Sequence, residues 1–353
     1  MKILAINPGS TSTKMGVFLE EKPLLIKSIP YTPDDLAPFA NAFEQLSMRR
    51  NDILHALEIE DIDFNFDAII ARGGLTKPIP AGVYRVNEQM LLDTRTTPRQ
   101  HVCNLGCHIA AALAADLPGC LPLVADPEIV DEMLPEAHIC GSPLMTRASV
   151  WHALNQRAIA RHFAKIRGCR YEDLNLIVAH LGGGITVGAH CKGQTIDVNN
   201  GLDGEGPFSP ERAGSLPAAD LIRLCFSGKH SEEELLKRIA GKAGLNAHLG
   251  TTDTREVLRR VAEGDAHATL ILNAMIYHIA KSIAAQGAVL CGAVDAILIT
   301  GGLAHSDYIT SRLRERVSFI APVHVFPGEN ELQALAENAL AVLHQEREIH
   351  EYE

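Results

Sequence analysis

Residues 7–14, Asn-Pro-Gly-Ser-Thr-Ser-Thr-Lys, combine a glycine, four hydroxyl side chains and a lysine in one short segment. Gly9 lets the backbone approach a ligand closely. Ser10, Ser12 and the neighbouring backbone N–H groups can donate hydrogen bonds to an anion, and Lys14 adds a positive point charge. These properties predict a phosphate-binding loop. An ordinary hairpin turn rich in serine and threonine is the alternative.

A second glycine-rich segment, Gly182, Gly183 and Gly184, follows the apolar residues 176–181. Successive glycines cost conformational entropy on folding, which suggests that a ligand must approach this backbone closely. His180 could hydrogen-bond a phosphoryl oxygen, or it could be a histidine satisfied at a strand end. The pattern predicts a second phosphate-binding loop.

A third segment with glycine, the pair Gly301 and Gly302, follows residues 293–300, which are typical of a buried strand. In α/β sheets, ligands gather beyond the carboxyl ends of the strands. A surface without side chains at such an end can accept an adenine or a ribose, so we expect the adenosine here.

The elements that position these loops repeat along the chain. Strands are predicted at residues 3–6, 15–19 and 24–29, and again at residues 176–181, 185–191 and 195–198. A spacing of about 175 residues suggests a duplicated domain. We therefore expect domains at residues 1–174 and 175–353, and leave open whether the final helix, 331–347, packs back on the first domain.

Apolar residues at helical spacing occur between these strands. They predict helices at residues 34–57, 105–117, 149–166, 216–226, 231–240, 254–263, 266–288 and 331–347. Strands mixed with helices favour an α/β fold.

Composition limits the classes of function. The formal net charge of -11 disfavours broad nucleic-acid binding, which needs a basic surface. The eight cysteines are scattered, and Cys103, Cys107 and His108 lack a second ligand pair, so we expect reduced thiols in the cytoplasm and no metal there. The segment 2–7 reads at once as a strand, which leaves no room for a signal peptide. The longest apolar stretch, near residues 109–117, is too short to cross a bilayer.

The order of the three loops resembles that of the superfamily of acetate and sugar kinases, chaperone ATPases and actin. Within it, N-P-G-S-T-S-T-K at 7–14, A-R-G-G-L at 71–75, A-H-L-G-G-G at 179–184 and T-G-G-L at 300–303 resemble the butyrate kinase branch of the acetate kinase family, over essentially the whole chain. Acetate kinases carry a histidine where this chain has Arg72, and an H-G-T-S-H stretch that is absent here.

The resemblance implies duplicated actin-like ATPase domains, which are ribonuclease H-like, flanking a nucleotide cleft. The first would bind the acyl substrate and the second the nucleotide. The implied reaction is reversible transfer of the γ-phosphoryl group of ATP to butyrate, giving butyryl phosphate and ADP, with Mg²⁺ as cofactor. A carboxylate is already ionised at neutral pH, so no strong base is needed. We also expect a homo-oligomer and neither a nucleic-acid nor a membrane partner.

Acidic residues are assigned to the metal through the same resemblance. Asp126, after the apolar segment 121–125, would hold Mg²⁺ or its waters, or orient the acceptor. The alternative is an N-cap of a helix starting at Pro127. Glu331 matches a magnesium-associated glutamate, with Glu329 as a rival.

Basic residues are candidates for charge neutralisation. Arg72 and Arg147 can bridge the acceptor carboxylate and the moving phosphoryl group. His101 matches an active-site histidine of the family and is expected to hydrogen-bond the acceptor. Asp253 and Arg255 resemble a stretch that lines the nucleotide site.

Other functions remain open at this point. Isobutyrate, propionate or acetate kinases share the mechanism and differ only in pocket volume. A non-enzymatic actin-like or chaperone-like ATPase would need a peptide-binding region or long insertions. Sugar kinases and their repressor relatives usually begin with an aspartate in the first loop, where this chain has Asn7.

Overall fold

The computed structural model describes residues 1–98 and 100–353. Within these residues the strands are β1 Lys2–Pro8, β2 Ser12–Leu19, β3 Lys22–Pro30, β4 Ala68–Arg72, β5 Val83–Arg85, β6 Leu121–Ala125, β7 Asn175–Leu181, β8 Ile185–Cys191, β9 Gln194–Val198, β10 Ala296–Gly301, β11 Val323–Pro327 and β12 Ile349–His350.

The helices of the same residues are α1 Pro33–Leu36, α2 Leu46–Ile59, α3 Glu88–Thr96, α4 Leu105–Ala114, α5 Pro135–His138, α6 Ala153–Arg167, α7 Ala218–Cys225, α8 Glu232–Lys237, α9 Gly244–Leu249, α10 Thr254–Ala262, α11 Ala266–Val289, α12 Asp307–Val317 and α13 Glu331–Leu343. Short 3₁₀ turns form at Ala42–Gln45, Val102–Asn104, Tyr171–Asp173 and Gly302–His305.

The chain divides into two compact units. Unit 1 contains Met1–Asp131 and Asn330–Glu353, and unit 2 contains Glu132–Glu329. The boundary predicted between residues 174 and 175 differs from this division. Helix α6 precedes that point, yet its Phe163 packs in one apolar cluster with residues of β7 and β10. Helix α13 belongs to unit 1, where it packs against β1 and β4.

Unit 1 is built on a seven-stranded sheet in the order β12-β5-β6-β4-β1-β2-β3. β1, β2 and β3 pair antiparallel, while β1, β4 and β6 run parallel. Strand β1 is apolar over Ile3–Ile6 and buried there, as expected for a central strand covered on both faces. Helices α2 and α4 share an apolar cluster with Leu4 and Ile6 of this strand.

Unit 2 repeats the same plan with a five-stranded sheet in the order β11-β10-β7-β8-β9. β7, β8 and β9 pair antiparallel, and β7, β10 and β11 run parallel. The strand order therefore corresponds to β6-β4-β1-β2-β3 of unit 1. This correspondence confirms the duplicated domain that the repeated strand–turn–strand pattern predicts.

The long helix α11 forms the centre of the core of unit 2. The residues it buries against the sheet and against α12 include Leu272, Met275, Ile276, Ile279 and Ile283. By length and composition alone, α11 is the one helix among the described residues that could cross a membrane, but 39% of its most apolar window is buried. Core helices pass the same test of length and composition, and α11 packs as such a helix does. By this test the expectation that the longest apolar stretch is too short to cross a bilayer is wrong, because α11 is long enough.

Residues 34–57 do not form the single helix that their periodicity predicts. Helix α1 ends at Leu36, and α2 begins only at Leu46. Pro38 cannot continue a helix because it lacks an N–H and its ring clashes with the preceding turn. Asn41 then caps a 3₁₀ turn, its side-chain oxygen accepting hydrogen bonds from two backbone N–H groups.

Candidate functional site

Asn7, Arg72 and Asp126 lie at the carboxyl ends of three neighbouring parallel strands, β1, β4 and β6. The ladder places Arg72 opposite Ala125, so Asp126 follows directly at the same edge. Ligands of α/β sheets bind at such edges. We call these three residues the carboxyl edge of unit 1.

Glu331, the first residue of α13, joins two members of this edge. Asn7 Nδ2 donates a hydrogen bond to Glu331 Oε2, and Arg72 Nη1 lies 3.4 Å from Glu331 Oε1. The carboxylate is 6% exposed and sits in the first turn of a helix, where a negative charge is favourable. The structure thus brings together three sequence-predicted residues, Asn7, Arg72 and Glu331.

Arg72 has a second carboxylate partner that sequence reasoning missed. Its Nη2 donates to Glu128 Oε1. Glu128 comes two residues after Asp126, in the turn that follows β6, and this closeness in sequence to Asp126 is the signal that could have identified it. The Arg72 guanidinium therefore contacts one oxygen atom of each of two carboxylates.

Asp126 is buried in an unusual backbone conformation. Its φ of 39° lies in the left-handed region, which costs a non-glycine residue free energy, and its side chain is 1% exposed. Gly82 makes two hydrogen bonds with Asp126. Gly82 N donates to Asp126 Oδ1 at 3.0 Å, and Asp126 N donates to Gly82 O at 2.9 Å. Strained residues of this kind cluster at functional sites. Residues 127–130 form no helix, so the N-cap alternative is wrong.

The first predicted phosphate loop is a tight hairpin between β1 and β2. Gly9 N donates to Ser12 O at 2.8 Å. Ser10 and Lys14 are exposed, while Gly9 and Ser12 are half-buried. The hydroxyl and ammonium donors are therefore available to an anion, as the sequence predicts, while their phosphate contact stays a prediction.

Arg49, on α2, binds residues of this hairpin. The sequence pattern did not identify it. It is fully buried, and its guanidinium donates to Ser12 O at 3.2 Å and to Thr13 Oγ1 at 2.9 Å. Gln45 Oε1 accepts from Nε at 3.0 Å, and the ring of Tyr31 lies 4.5 Å from the guanidinium carbon. Burial lowers the pKa of Arg49. A buried cation beneath the loop makes the local potential favourable for an anion.

His101 lies at the start of the 3₁₀ turn before α4. Its Nδ1 accepts a hydrogen bond from Cys103 N at 3.3 Å and lies 3.0 Å from Cys103 Sγ. Cys103 Sγ in turn lies 3.6 Å from Glu128 Oε2, so the predicted histidine is linked through Cys103 to a partner of Arg72. Burial, followed by the nearby Glu128 carboxylate, raises the pKa of Cys103 well above its ordinary value.

The corresponding edge of unit 2 opens into a cavity of about 630 Å³. Its lining comes from the glycine loop, the segments before and within α10, and the 3₁₀ turn after β10. The lining residues are Gly182, Gly183, Pro210, Glu211, Thr252, Asp253, Thr254, Arg255, Leu258, Gly302, Leu303, His305, Ser306 and Glu329. A cavity of this volume is within the range that holds drug-sized ligands and cofactors.

His180, at the end of β7, is 1% exposed and contacts a polar residue at each ring nitrogen. Nδ1 lies 2.8 Å from Asn155 Oδ1, and Nε2 lies 3.2 Å from Glu329 Oε1. Its ring stacks on that of His152 with centroids 3.9 Å apart. The sequence predicts His180 at the phosphate loop, but it gives no signal for His152, which approaches only through the fold.

Gly184, Gly301 and Gly302 differ in the space that a Cβ atom would have at each position. A Cβ on Gly184 would lie 2.0 Å from the guanidinium of Arg212, and Gly301, at a φ of 92°, would place one 2.4 Å from Leu181 O. A Cβ at Gly302 would meet nothing within 4 Å. Gly301 is therefore required by its backbone conformation and packing, a Cβ at Gly184 would have to displace the Arg212 side chain, and Gly302 leaves open space in the wall of the cavity.

Asp253 and Arg255 line the same cavity and pair with each other. Asp253 Oδ2 lies 2.8 Å from Arg255 Nη2, and Asp253 Oδ1 accepts from the backbone N of Arg255 as the cap of α10. Hydrogen bonds from the Arg255 side chain and backbone lower the pKa of Asp253 to about 2. Both side chains are exposed at the rim, so the sequence-predicted pair reaches the cavity.

Arg147 lies in unit 2 and binds several acceptors of that unit. Its guanidinium contacts Asp197 at 3.1 Å, Glu205 at 3.2 Å and the carbonyl oxygens of Ala137 and Val198 at 2.6 and 2.9 Å. Burial alone would lower the pKa of Arg147, but the two carboxylates outweigh it and raise the pKa. These contacts describe a residue that holds neighbouring segments together. Its role in charge neutralisation stays a prediction.

Comparison with known proteins places this geometry in a family. The model of the acetokinase family matches residues 144–334. A probable butyrate kinase of Bacteroides thetaiotaomicron is 56% identical over 352 residues, with 100% of both chains covered. Butyrate kinase 2 of Clostridium acetobutylicum is 48% identical over 353 residues, with 99% of both chains covered.

Solved structures show the same fold at low sequence identity. The acetate kinase of Porphyromonas gingivalis matches with a TM-score of 0.78 and 19% identity, covering 97% of this chain and 99% of that one. A propionate kinase of Francisella tularensis matches with a TM-score of 0.75 and 19% identity, covering 95% and 98%. With the repeated strand order, these likenesses confirm the predicted α/β fold of duplicated actin-like ATPase domains.

Proposed function

The chain belongs to the acetokinase family, and we propose that it is a butyrate kinase, which transfers the γ-phosphoryl group of ATP to the carboxylate of butyrate. The observation that carries the proposal is the full-length identity of 48–56% to relatives named butyrate kinase. The geometry supports it in two places, the charged edge of unit 1 and the open cavity of unit 2.

The cavity of unit 2 is proposed to bind the nucleotide. Backbone N–H groups of the loop Gly182–Gly184 are suited to phosphate oxygens. Gly302, which has free space where a side chain would be, would leave room for adenosine. Asp253 and Arg255, at the rim, offer hydrogen-bond partners to the sugar and base.

The edge of unit 1 is proposed to bind the acceptor carboxylate. Arg72 already contacts two carboxylates, Glu128 and Glu331. Its planar fork can bind the oxygens of a fatty acid in the same manner. His101 is proposed to hydrogen-bond the acceptor, while the hairpin of Gly9–Lys14, supported by Arg49, provides donors for the transferred phosphoryl group.

We also propose a magnesium site at this edge. Asp126 and Glu331 offer carboxylate oxygens, the ligands that Mg²⁺ prefers, and would hold the ion or its waters. When bound, Mg²⁺ neutralises charge on the phosphate oxygens.

The chemistry needs positioning and charge neutralisation. A carboxylate oxygen of butyrate forms a bond to the γ-phosphorus as the bond to the β–γ bridging oxygen breaks, and ADP leaves with that electron pair. No proton is removed from the acceptor, because the carboxylate is ionised. Arg72 would stabilise the charge of both reactants, and in-line alignment would provide much of the remaining rate.

The proposal extends to the cytoplasm and to a homo-oligomer. All eight cysteines are free, which supports a reducing compartment. Helix α7 buries none of its residues, and Ile222 and Phe226 are 58% and 88% exposed. An apolar surface of this kind supports contact with another copy of the chain.

The test is formation of acyl phosphate, trapped with hydroxylamine, from ATP, Mg²⁺ and acids of two to six carbons, including isobutyrate. Butyrate should give the highest kcat/KM, with neighbouring chain lengths lower by about 10–200-fold, the discrimination expected for one methylene. A maximum at acetate, propionate or isobutyrate would assign the substrate differently. Absence of acyl phosphate from every acid, together with peptide-stimulated ATP hydrolysis, would overturn the enzyme class.

A further inference from the structure

His101, Cys103 and Glu128 bring three different ligand types to one place in unit 1. One donor atom from each residue lies within 4.8 Å of the others. The proposed reaction gives no task to Cys103, which is 1% exposed. Cys103 and Glu128 are 25 residues apart in the sequence, so the fold brings them together.

The spacing of these atoms is close to that of a tetrahedral zinc site. With Zn–S of about 2.3 Å and Zn–N or Zn–O of about 2.0–2.2 Å, neighbouring ligand atoms are about 3.3–3.6 Å apart. Cys103 Sγ lies 3.0 Å from His101 Nδ1 and 3.6 Å from Glu128 Oε2. The donor atoms of His101 and Glu128 lie within 4.8 Å of each other, so rotation of the Glu128 side chain would complete the site.

The charges of the cluster favour a soft divalent cation. A thiolate, a carboxylate and a neutral imidazole would together balance two positive charges, so the occupied site carries no net charge in its buried setting. Mg²⁺ prefers oxygen ligands, whereas thiolate and imidazole prefer Zn²⁺ and similar ions. Three protein ligands also leave one tetrahedral position for water or another oxygen ligand.

We propose that His101, Cys103 and Glu128 bind Zn²⁺, and that binding inhibits the enzyme by displacing Glu128, whose contact holds the Arg72 guanidinium in position. Glu128 uses Oε1 for Arg72 and Oε2 towards Cys103, so the two partners share one carboxylate. Binding converts the thiol to a thiolate and releases its proton to solvent. The site differs from the proposed magnesium ligands in both residues and ligand chemistry.

Binding is measured first, because this arm does not depend on the proposed function. The purified full chain is freed of metal with a chelator and titrated with Co²⁺ alone. We expect one equivalent to produce thiolate-to-cobalt absorption that Zn²⁺ abolishes by competition. The background carries Cys225→Ser and Cys291→Ser, because these exposed thiols could bind metal by themselves.

Cys103→Ser should remove the cobalt band and weaken Zn²⁺ binding about a hundredfold or more, because changes in outer-shell partners alone cost about 10–100-fold. Cys107→Ser is the matched control, a buried thiol on the same helical segment that is outside the cluster, and it should retain the band. An unchanged band in Cys103→Ser, or no band in the background protein, would overturn the site and leave a hydrogen-bond chain only.

The inhibition arm rests on the proposed function. At saturating Mg²⁺ and ATP, Zn²⁺ should lower kcat for acyl phosphate formation at least about tenfold in the background protein, a loss of about 1.4 kcal/mol. In Cys103→Ser, the kcat values with and without Zn²⁺ should be nearly equal. Equal inhibition in both proteins, or cobalt binding without inhibition, would overturn the link to Arg72. Failure of the proposed function would appear separately, as no acyl phosphate without Zn²⁺.

Discussion

The two units have the same strand order, but the residues at the carboxyl ends of their strands differ. In unit 1, the edge presents Asn7, Arg72 and Asp126, and Glu331 binds two of them. In unit 2, the corresponding strands end in His180 and in Gly301, and the edge opens into a cavity of about 630 Å³. One edge is filled with charged groups, whereas at the other edge glycines border an open cavity.

We propose that this difference divides one reaction between two copies of a duplicated fold. A small anionic acceptor needs concentrated charge and little volume, whereas a nucleotide needs volume and backbone donors. Each polar strand end also has its own carboxylate, Glu331 beside Asn7 in unit 1 and Glu329 beside His180 in unit 2. If the division is correct, changes at the first edge should affect the chemical step, and changes at the second should affect nucleotide binding.

The largest effect is expected for Arg72→Ala. Removing one preorganised charge-stabilising donor typically lowers kcat by about 10²–10³-fold. Steady-state kinetics of acyl phosphate formation should show this loss with little change in the Kd of ADP. Arg50→Ala, which removes a surface ion pair with Asp116 in the same unit, is the control and should retain kcat.

Arg147→Ala sharpens the contrast between the two arginines. Because its guanidinium bonds carboxylates and carbonyl groups within unit 2, its removal should lower the free energy of unfolding by about 2–3 kcal/mol. Denaturant unfolding measures this loss. A fall in kcat as large as that of Arg72→Ala, at unchanged stability, would instead assign Arg147 to charge neutralisation.

Asp126→Ala is expected to weaken the use of magnesium by about 10–100-fold. The Mg²⁺ concentration that gives half-maximal rate should rise, and extra Mg²⁺ should restore part of the activity. Asp116→Ala, at an exposed carboxylate of unit 1, is the control. Rescue by small carboxylates but not by Mg²⁺ would indicate that Asp126 acts as a base.

Gly302→Phe should weaken ADP binding at least about tenfold, because a ring would occupy the space proposed for adenosine. Calorimetry measures the Kd, and circular dichroism checks the fold. Gly141→Phe is a matched control, since a side chain there also meets nothing within 4 Å and Gly141 does not line the cavity. An unchanged Kd in Gly302→Phe would place the adenosine elsewhere.

The last prediction concerns one buried histidine in each unit. Burial, and then repulsion by Arg157, lowers the pKa of His190 to about 3, while burial lowers that of His108 to about 4. The unfolded chain binds protons below about pH 6.5 and the folded histidines do not, so stability falls as pH drops from there towards these values, by about 1.4 kcal/mol per pH unit for each.

Denaturant unfolding between pH 6.5 and 4.5 tests this dependence. His190→Gln should lower the slope of the unfolding free energy against pH by about 1.4 kcal/mol per pH unit. His55→Gln, at an exposed position, is the control variant. Equal slopes for the wild-type protein and His190→Gln would show that this ring is not the source of the acid sensitivity.

Features that depend on local sequence could be predicted. The two hairpins, the repeated strand order and the glycine loops follow from apolar runs broken by glycine and proline. Arg72, Asp126 and Glu331 were also found, through motifs of the family. Their functional roles remain predictions.

Features created by the meeting of distant segments could not be predicted. Arg49 reaches the first hairpin from a helix 36 residues later than Thr13, and nothing in a helix pattern marks it. His152 meets His180 only through packing in unit 2. The break at Pro38 was visible, but the apolar spacing on either side outweighed it in the prediction.

The placement of residues 330–353 in unit 1 has a consequence for synthesis on the ribosome. All of unit 2 leaves the ribosome between the two segments of unit 1. At about 5–20 residues per second, those roughly 200 residues take about 10–40 s. During that time the sheet of unit 1 lacks α13, which buries Leu335 and Ala339. We therefore expect unit 2 to fold first, and the nascent unit 1 to be the part that binds chaperones during translation.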